Sequence, residues 1–555
     1  MRRVAIAAVV AGICVALVGC GGIPTSGSVQ EGQVINKEDS PDFGYDPSGP
    51  QAGATQAEIL TGFIQAATSP QDDYAIARTF LTSSLADEWE PNATTQVRAG
   101  AGVTQENTDG TLSYVFSSSA GVNNLGILTS SDQSTQRLDF SFVENADGEW
   151  RINSAPDGIV LSSDGFNDIF ENYALYYFDS SYQYLVPDVR WFPRTTRVAT
   201  RLVITLLSGQ SGWLAQGVTN SEFPTGTTLD SAVTIESGVA TVPLSEEVLD
   251  ATPEALARMA EQLKNTIGTV SSVVITVNDV EIPVRDPQPV PVVNPGAQGS
   301  LLARTDDGFG FLGNGGSLSA LAGQSAEIVD LDARDVTVSR DREFSAVLAS
   351  DGVHIVFGNN SDQLLLDTRA DLVAPSTDPI GFVWSMPAGD ASAIRVFDTT
   401  GNRFDVTSSI EPGTRVASFA VSRDGSRMMV YGSTAAGPRL TVYGILRTDG
   451  VPYALGPPFE VRTDQGLTPT DAAWVDDRTI ATLALQAASD SAVVTVHELG
   501  GQTEVTGRVV GGRALVGSSD FDGLRVVTGD GGVFQPRGAG WAATGLTVSF
   551  LATQQ

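Results

Sequence analysis

Cysteine and histidine are nearly missing from this sequence, with two of each in 555 residues. Cys14 and Cys20 both fall near the start, so the rest of the chain can form no disulfide and offers no thiol catalyst. His354 and His497 stand apart on strand-like segments, where core or surface roles are expected and metal ligation is not. Lysine is as scarce, present only as Lys37 and Lys264, while the formal charge is −33. With no basic block to neutralise phosphates, nucleic-acid binding is excluded, and an anionic bilayer would repel this surface. Catalytic signatures are missing too. There is no G-x-S-x-G and no H-E-x-x-H, and neither lysine follows a glycine as a phosphate-binding loop requires. No catalytic, cofactor-binding or metal-ligating residue is therefore assigned, and the chain is expected not to be an enzyme.

Long apolar runs are absent except at the start. Val4 to Val18 forms an apolar run of fifteen residues behind Arg2 and Arg3. A membrane span needs about 20 residues, so the run fits the core of a signal peptide better. It ends in Leu17-Val18-Gly19-Cys20, which resembles the bacterial lipobox. In that motif small residues flank the scissile bond, and only a thiol is nucleophilic enough to take the diacylglyceryl group. Cys14 does not qualify, because bulky Ile13 stands where the small residue belongs. The expectation is a signal peptide over 1–19 and a Cys20 bearing S-diacylglycerol and an N-acyl chain. Such a residue would anchor the protein at the extracytoplasmic face of the plasma membrane, since one acyl chain holds marginally and two or three hold firmly. Residues 20–54, rich in Gly, Pro, Ser and acid, read as a flexible tether.

What remains is ordinary globular composition, 41% hydrophobic and 17% charged over the whole chain, and too long for one core. An α+β domain is expected over 55–172. Ile59, Leu60, Phe63 and Ile64 share one helix face, and Asp72-Asp73 open a second helix with Ile76, Phe80 and Leu81 as its buried stripe. Leu138, Phe140 and Phe142 then alternate as strand, and Asp147-Gly148 turns into Trp150 and Ile152. Helices followed by a curved sheet make a cone, and the "DGEWRI" hairpin resembles nuclear-transport-factor-like folds. Cones of that kind hold ligand pockets, although Trp89 and Trp150 read as core.

An α/β sandwich is expected over 173–285. A strand pair in "ALYYFDSSYQYLVPDVRWFPR" precedes a helix with Val198, Leu202 and Leu206 on one face. A hairpin turns at Ser237-Gly238, and a helix capped by Thr252-Pro253 buries Leu256, Met259, Leu263 and Ile267 before Gly268 ends it. "VSSVVITVNDVEIPV" then closes as strand. The order ββαββαβ fits two layers. Four prolines in Arg285–Gly296 mark a linker over 286–299.

Residues 300–555 carry short strands and acidic turns at intervals of roughly 40 to 50, the period of four-stranded propeller blades. Ser339-Arg340-Asp341 is echoed by Ser422-Arg423-Asp424, and Asp476-Asp477 and Asp522-Gly523 mark further turns. An all-β propeller of five or six blades is expected. Gly308, Gly310 and Gly313 satisfy G-x-G-x-x-G, yet Gly315-Gly316 would weaken the helix a dinucleotide site needs, so this stretch reads as an outer strand. Asp330–Asp335, "DLDARD", lacks the glycine and distant Glu of a calcium loop and reads as a solvated turn.

Segments of the sandwich region, "YFDSSYQYLVPDVRWFPR", "TRLVITLLSGQSGWL", "FPTGTTL" and "GVATVPLS", resemble the GerMN domain of sporulation and germination proteins. Together with the lipobox, "EILTGFIQAATSPQDDYAIARTFLT" and the propeller region, the chain is similar to the LpqB-type actinobacterial lipoproteins. That resemblance implies a lipid-anchored regulatory binding protein that interacts with the sensor domain of the MtrB histidine kinase of the MtrAB system, affecting cell-wall homeostasis and division. An envelope scaffold holding peptidoglycan or wall enzymes is the alternative, followed by a propeller hydrolase. The acidity also leaves calcium-dependent binding open.

Overall fold

The computed structural model describes residues 47–555 except 132–133, 216, 298, 360 and 488. Leu17, Val18, Gly19 and Cys20, with the signal peptide and most of the tether, lie outside the described residues. The first helix, Gln56–Ala66, starts at a capping box: the Thr55 hydroxyl accepts the Glu58 N–H, and the Glu58 carboxylate accepts the Thr55 N–H at 2.8 Å. Its buried face of Ile59, Leu60, Phe63 and Ala66 packs on a sheet ordered Trp150–Ser154, Thr135–Glu144, Leu112–Asn123, Thr94–Glu106, Ile159–Ser162. Trp89 is core, 5.1 Å from Phe63 ring to ring, and Trp150 packs at the margin. The cavity inside this cone is about 50 Å³, room for water and far short of the ~300 Å³ of a small-molecule site. Asp72 and Asp73 do not open a helix. With Tyr74 they form three successive left-handed residues (φ 47, 56 and 60), and the helix that follows, Ala75–Arg78, is short and ends before Phe80 and Leu81. Asp73 instead binds Arg78 at 2.8 Å.

In the middle region the hairpin Phe170–Asp179 and Tyr184–Pro193 turns through a left-handed Tyr182. The Asp179 carboxylate holds this turn by accepting the N–H groups of Ser181, Gln183 and Tyr184. Helix Val198–Leu207 follows, and helix Pro253–Ile267 begins at Thr252, whose hydroxyl accepts the Ala255 N–H, and ends at left-handed Gly268 (φ 73). Thr266 and Gln262 pin the second helix to both hydrogen-bonding groups of Tyr176. Strands divide between two four-stranded sheets. One holds the hairpin, Thr219–Asn220 and Val292–Val293; the other holds Thr234–Glu236, Val239–Pro243, Ser272–Val277 and Val280–Glu281. The segment expected as one closing strand therefore folds as two, because Asn278 and Asp279 both take left-handed φ (49 and 61). Within the proline-rich stretch, Val292–Val293 pairs in parallel with Tyr184–Leu185 as an edge strand, the sheet position that proline tolerates.

Six four-stranded blades follow. Blade 1 combines Leu302–Thr305, Gly308–Leu312 and Leu318–Ser319 with the last strand, Phe550–Gln554, which is its inner strand and closes the ring against blade 2. Blades 2 to 6 begin at the inner strands Asp335–Val338, Ser376–Thr377, Arg415–Val421, Leu467–Trp474 and Gly512–Val516. Gly308, Gly310 and Gly313 belong to or flank a strand with Phe309 buried, and a Cβ on Gly310 would lie 2.4 Å from the Ser319 carbonyl. Asp330–Asp335 is not a solvated turn throughout. Asp335 opens the inner strand of blade 2, where burial, with Asp471 adding, pushes its carboxyl up to about 7. His354 meets Asp351 at 2.8 Å, and buried His497 meets Thr482 at 2.9 Å.

Candidate functional site

The turns between first and second strands of the blades lie on one face of the propeller, and the middle region docks on half of that face. Trp213 stacks on Phe459 of blade 4 with ring centroids 4.8 Å apart, and Val186, Leu214 and Val218 form a small core with Leu446. At Gly444 a Cβ would stand 2.4 Å from Val218, so a side chain there would part the two surfaces. Trp191 donates its indole N–H to the Gly500 carbonyl at 2.7 Å, and Asn172 donates to Glu498 at 2.9 Å, both on blade 5. Asn294 accepts the Asp477 N–H, and Ala297 accepts the Ser519 hydroxyl on blade 6. The N-terminal region is tied in at the same place, where Arg190 and Arg201 donate to the carbonyls of Leu125 and Asn124. A cavity of about 20 Å³ is left among the three. The described residues, from 47 onward, accordingly form one compact unit.

Blades 1 to 3 keep most of the same face open, the middle region reaching them where the Tyr184 ring lies against Arg340 at the inner rim. There a groove runs as two connected basins of about 730 and 580 Å³ that share Glu343, Phe344 and Thr399, within the size range of binding pockets. The larger basin is walled by Phe311, Leu321 and Phe357, with the Arg342 guanidinium 4.7 Å over the Phe311 ring. The smaller basin runs from Arg340 to Ile380, which is 38% exposed. Asp378 at its floor is not a free acid. It accepts the N–H groups of Ile380, Gly381 and Phe382, the Trp384 indole N–H at 2.9 Å and the Arg447 guanidinium at 2.7 Å. The groove thus offers apolar walls interrupted by fixed charges, which suits a peptide segment.

Two of the charged turns at the rim are built the same way. Ser339 donates its hydroxyl to Asp341 and Ser422 donates to Asp424, each at 2.7 Å. The same serines accept the N–H groups of Phe344 and Arg427. Ser and Asp lock the turn, and the arginine between them is left to point elsewhere. Arg423 crosses to the end of blade 5's inner strand, donating to the carbonyls of Trp474 and Val475, and Arg340 lies 5.7 Å over the Tyr184 ring of the middle region. Burial, opposed by nearby Arg427, pushes Asp477 up to about 6 in the same rim. The repeated Ser-Arg-Asp was legible in the sequence as a turn; the function of its central arginine was not. Among the described residues no group of three or more His, Cys, Asp or Glu is placed to hold a metal ion, and Cys20 with its lipobox lies outside them.

Fold and groove together define a multidomain propeller protein with two modules docked at one face. Its segments match, in chain order, the models described as "Lipoprotein LpqB, N-terminal domain" over 49–167, "Sporulation and spore germination" (Germane) over 174–283 and "Lipoprotein LpqB beta-propeller domain" over 313–549. The chain belongs to the LpqB lipoprotein family. It is 26% identical over 267 residues to "Lipoprotein LpqB" of Cutibacterium acnes, covering 48% of this chain and 45% of the relative, so it spans less than half of that protein's length. With the protein of the same name from Streptomyces coelicolor it shares 27% identity over 496 residues, 78% of this chain and 79% of the relative. A solved structure, "Crystal structure of Nidogen/Laminin Complex", covers 46% of the chain and 95% of its own at 9% identity and TM-score 0.33, a likeness too slight to decide anything here.

Proposed function

We propose that this protein is a non-enzymatic, lipid-anchored regulatory binding protein of the extracytoplasmic membrane face that engages the sensor domain of the MtrB histidine kinase. The observation that carries the reading is the half-covered propeller face: the middle region occupies blades 4 to 6 and leaves the groove on blades 1 to 3 open, in a family whose members are named lipoproteins. Acyl chains on Cys20 would confine the groove to a thin layer beside a membrane partner, raising effective concentration without any added contact. Cell-wall homeostasis and division would respond through the kinase. In a pull-down, the full chain is expected to retain the kinase's external domain, and deletion of the protein is expected to change phosphorylation of the response regulator. Cys20→Ala, expressed at native level, is expected to keep the fold and lose both lipidation and complementation. No retention together with unchanged phosphorylation would overturn the kinase reading, and full complementation by Cys20→Ala would overturn the role of the anchor.

A further inference from the structure

We propose that the rim where blades 2, 3 and 4 meet the middle region is a binding site for a small oxyanion, a carboxylate or phosphate group, held by Arg340, Thr377 and Arg423. This goes beyond the kinase reading and does not rest on it. Other buried arginines of the chain set the comparison. Arg190, Arg427 and Arg447, all with side chains at most 2% exposed, are each paired with an aspartate, respectively Asp188, Asp424 and Asp378. In a chain with 65 acidic residues, that pairing is easy to arrange. Arg340 and Arg423 have no ion pair among the described residues.

Arg423 is 7% exposed, and its terminal N–H groups reach only the two carbonyls of blade 5, at 3.3 Å each. Its Nε–H has no protein partner, and neither does Nη1 of Arg340. Between them in the ring, at the end of blade 3's inner strand, Thr377 is fully buried with its hydroxyl unpartnered. Donors without partners are rare in buried positions, because each costs desolvation that nothing returns. Here three come from successive blades at the same end of the channel. Most of the nearby acids are already engaged: Asp341 and Asp424 lock their turns, Asp424 also holds Arg427, Asp476 accepts the Arg478 N–H, and Asp179 holds its own hairpin; Asp477, on the next turn, meets Arg478 at 3.8 Å and keeps one buried oxygen without a partner. Burial, with Arg340's like charge adding and Asp476 opposing, lowers Arg423 to about 10, as expected of a guanidinium short of counter-charge. A planar guanidinium pair with a hydroxyl is the donor set that matches an oxyanion. Arg340 also lines the smaller basin of the groove, which gives the ligand a way in.

The test uses the detergent-solubilised full chain, titrated with sodium phosphate and with sodium acetate against sodium chloride at matched ionic strength. Melting temperature and isothermal calorimetry are the readouts. A saturable stabilisation by at least one oxyanion, absent with chloride, is expected, and the one that saturates at lower concentration identifies the class of group. Arg340→Gln and Arg423→Gln are each expected to weaken it about tenfold or more, the effect of losing one charge-assisted hydrogen bond. Should Arg423→Gln fail to fold, Arg340→Gln, at the groove wall, carries the test alone. Unchanged affinity in a folded Arg340→Gln protein, or no saturable effect of either oxyanion, would overturn the proposal.

Discussion

Asp335 and Asp471 sit on the inner strands of opposite blades, and burial is the main cause that raises both carboxyls. Asp471 still accepts N–H groups from Leu515 and Ala472, which is why it is raised less, to about 6, than Asp335 at about 7. A carboxyl whose folded value exceeds the unfolded one binds its proton more tightly in the folded protein. Its contribution to stability is therefore full below about pH 4 and is lost as the pH climbs through the folded values. The melting temperature is expected to fall between about pH 5 and about pH 8, and Asp335→Asn is expected to flatten part of that fall and melt higher at the alkaline end. A variant that melts lower than the parent at both pH values would contradict this. None of it was legible from "DLDARD", because half-buried Asp335 is desolvated by its place on an inner strand of the ring, and Asp471, which adds to the effect, lies more than a hundred residues away in sequence. The arginines of the repeated turns were hidden for the same reason: local sequence fixes a turn, and distant blades decide what the central side chain meets.

Among the elements, those whose ends carry their own chemistry were the readable ones. Thr55 with Glu58, and Thr252-Pro253 with Gly268, bound helices whose apolar spacing also marks the buried face. Thr55→Ala removes the hydroxyl half of its box and is expected to cost about 1 kcal/mol, read as a lower denaturation midpoint; no change would show that packing of Phe63 on Trp89 and Phe140 alone sets this helix. Asp72-Asp73 misled because acids at a helix start and acids in left-handed turns leave the same mark in sequence, and only the fold shows that Arg78 draws Asp73 back. Asn278-Asp279 is the reverse case. Both residue types tolerate positive φ, so the break into two strands was written there but masked by the β-branched run around it. Blade number was ambiguous for a related reason, since blade 1 borrows its inner strand from the far end of the chain.

At the scale of the whole molecule, three regions that look separable in sequence pack as one unit. Proline density between 286 and 299 marks a semi-extended linker unable to join a sheet interior; within it Val292–Val293 joins a sheet edge, and Asn294 and Ala297 bind blades 5 and 6. Contacts of this kind, a Trp213 stacked on Phe459 or a Gly444 that leaves room for Val218, are pairings between remote residues that no local pattern announces. Their consequence is an orientation: one half of the propeller face is used internally and the other is presented outward. The measurement that tests this most directly is photocrosslinking in cells from the full-length protein, with the reactive residue placed at Ile380 in the open groove or at Val510, 73% exposed at the far end of blade 5's outer strand. The account predicts an adduct with the kinase sensor domain from Ile380 and none from Val510. Adducts from Val510 alone, or none from Ile380 while the kinase still co-purifies, would contradict it.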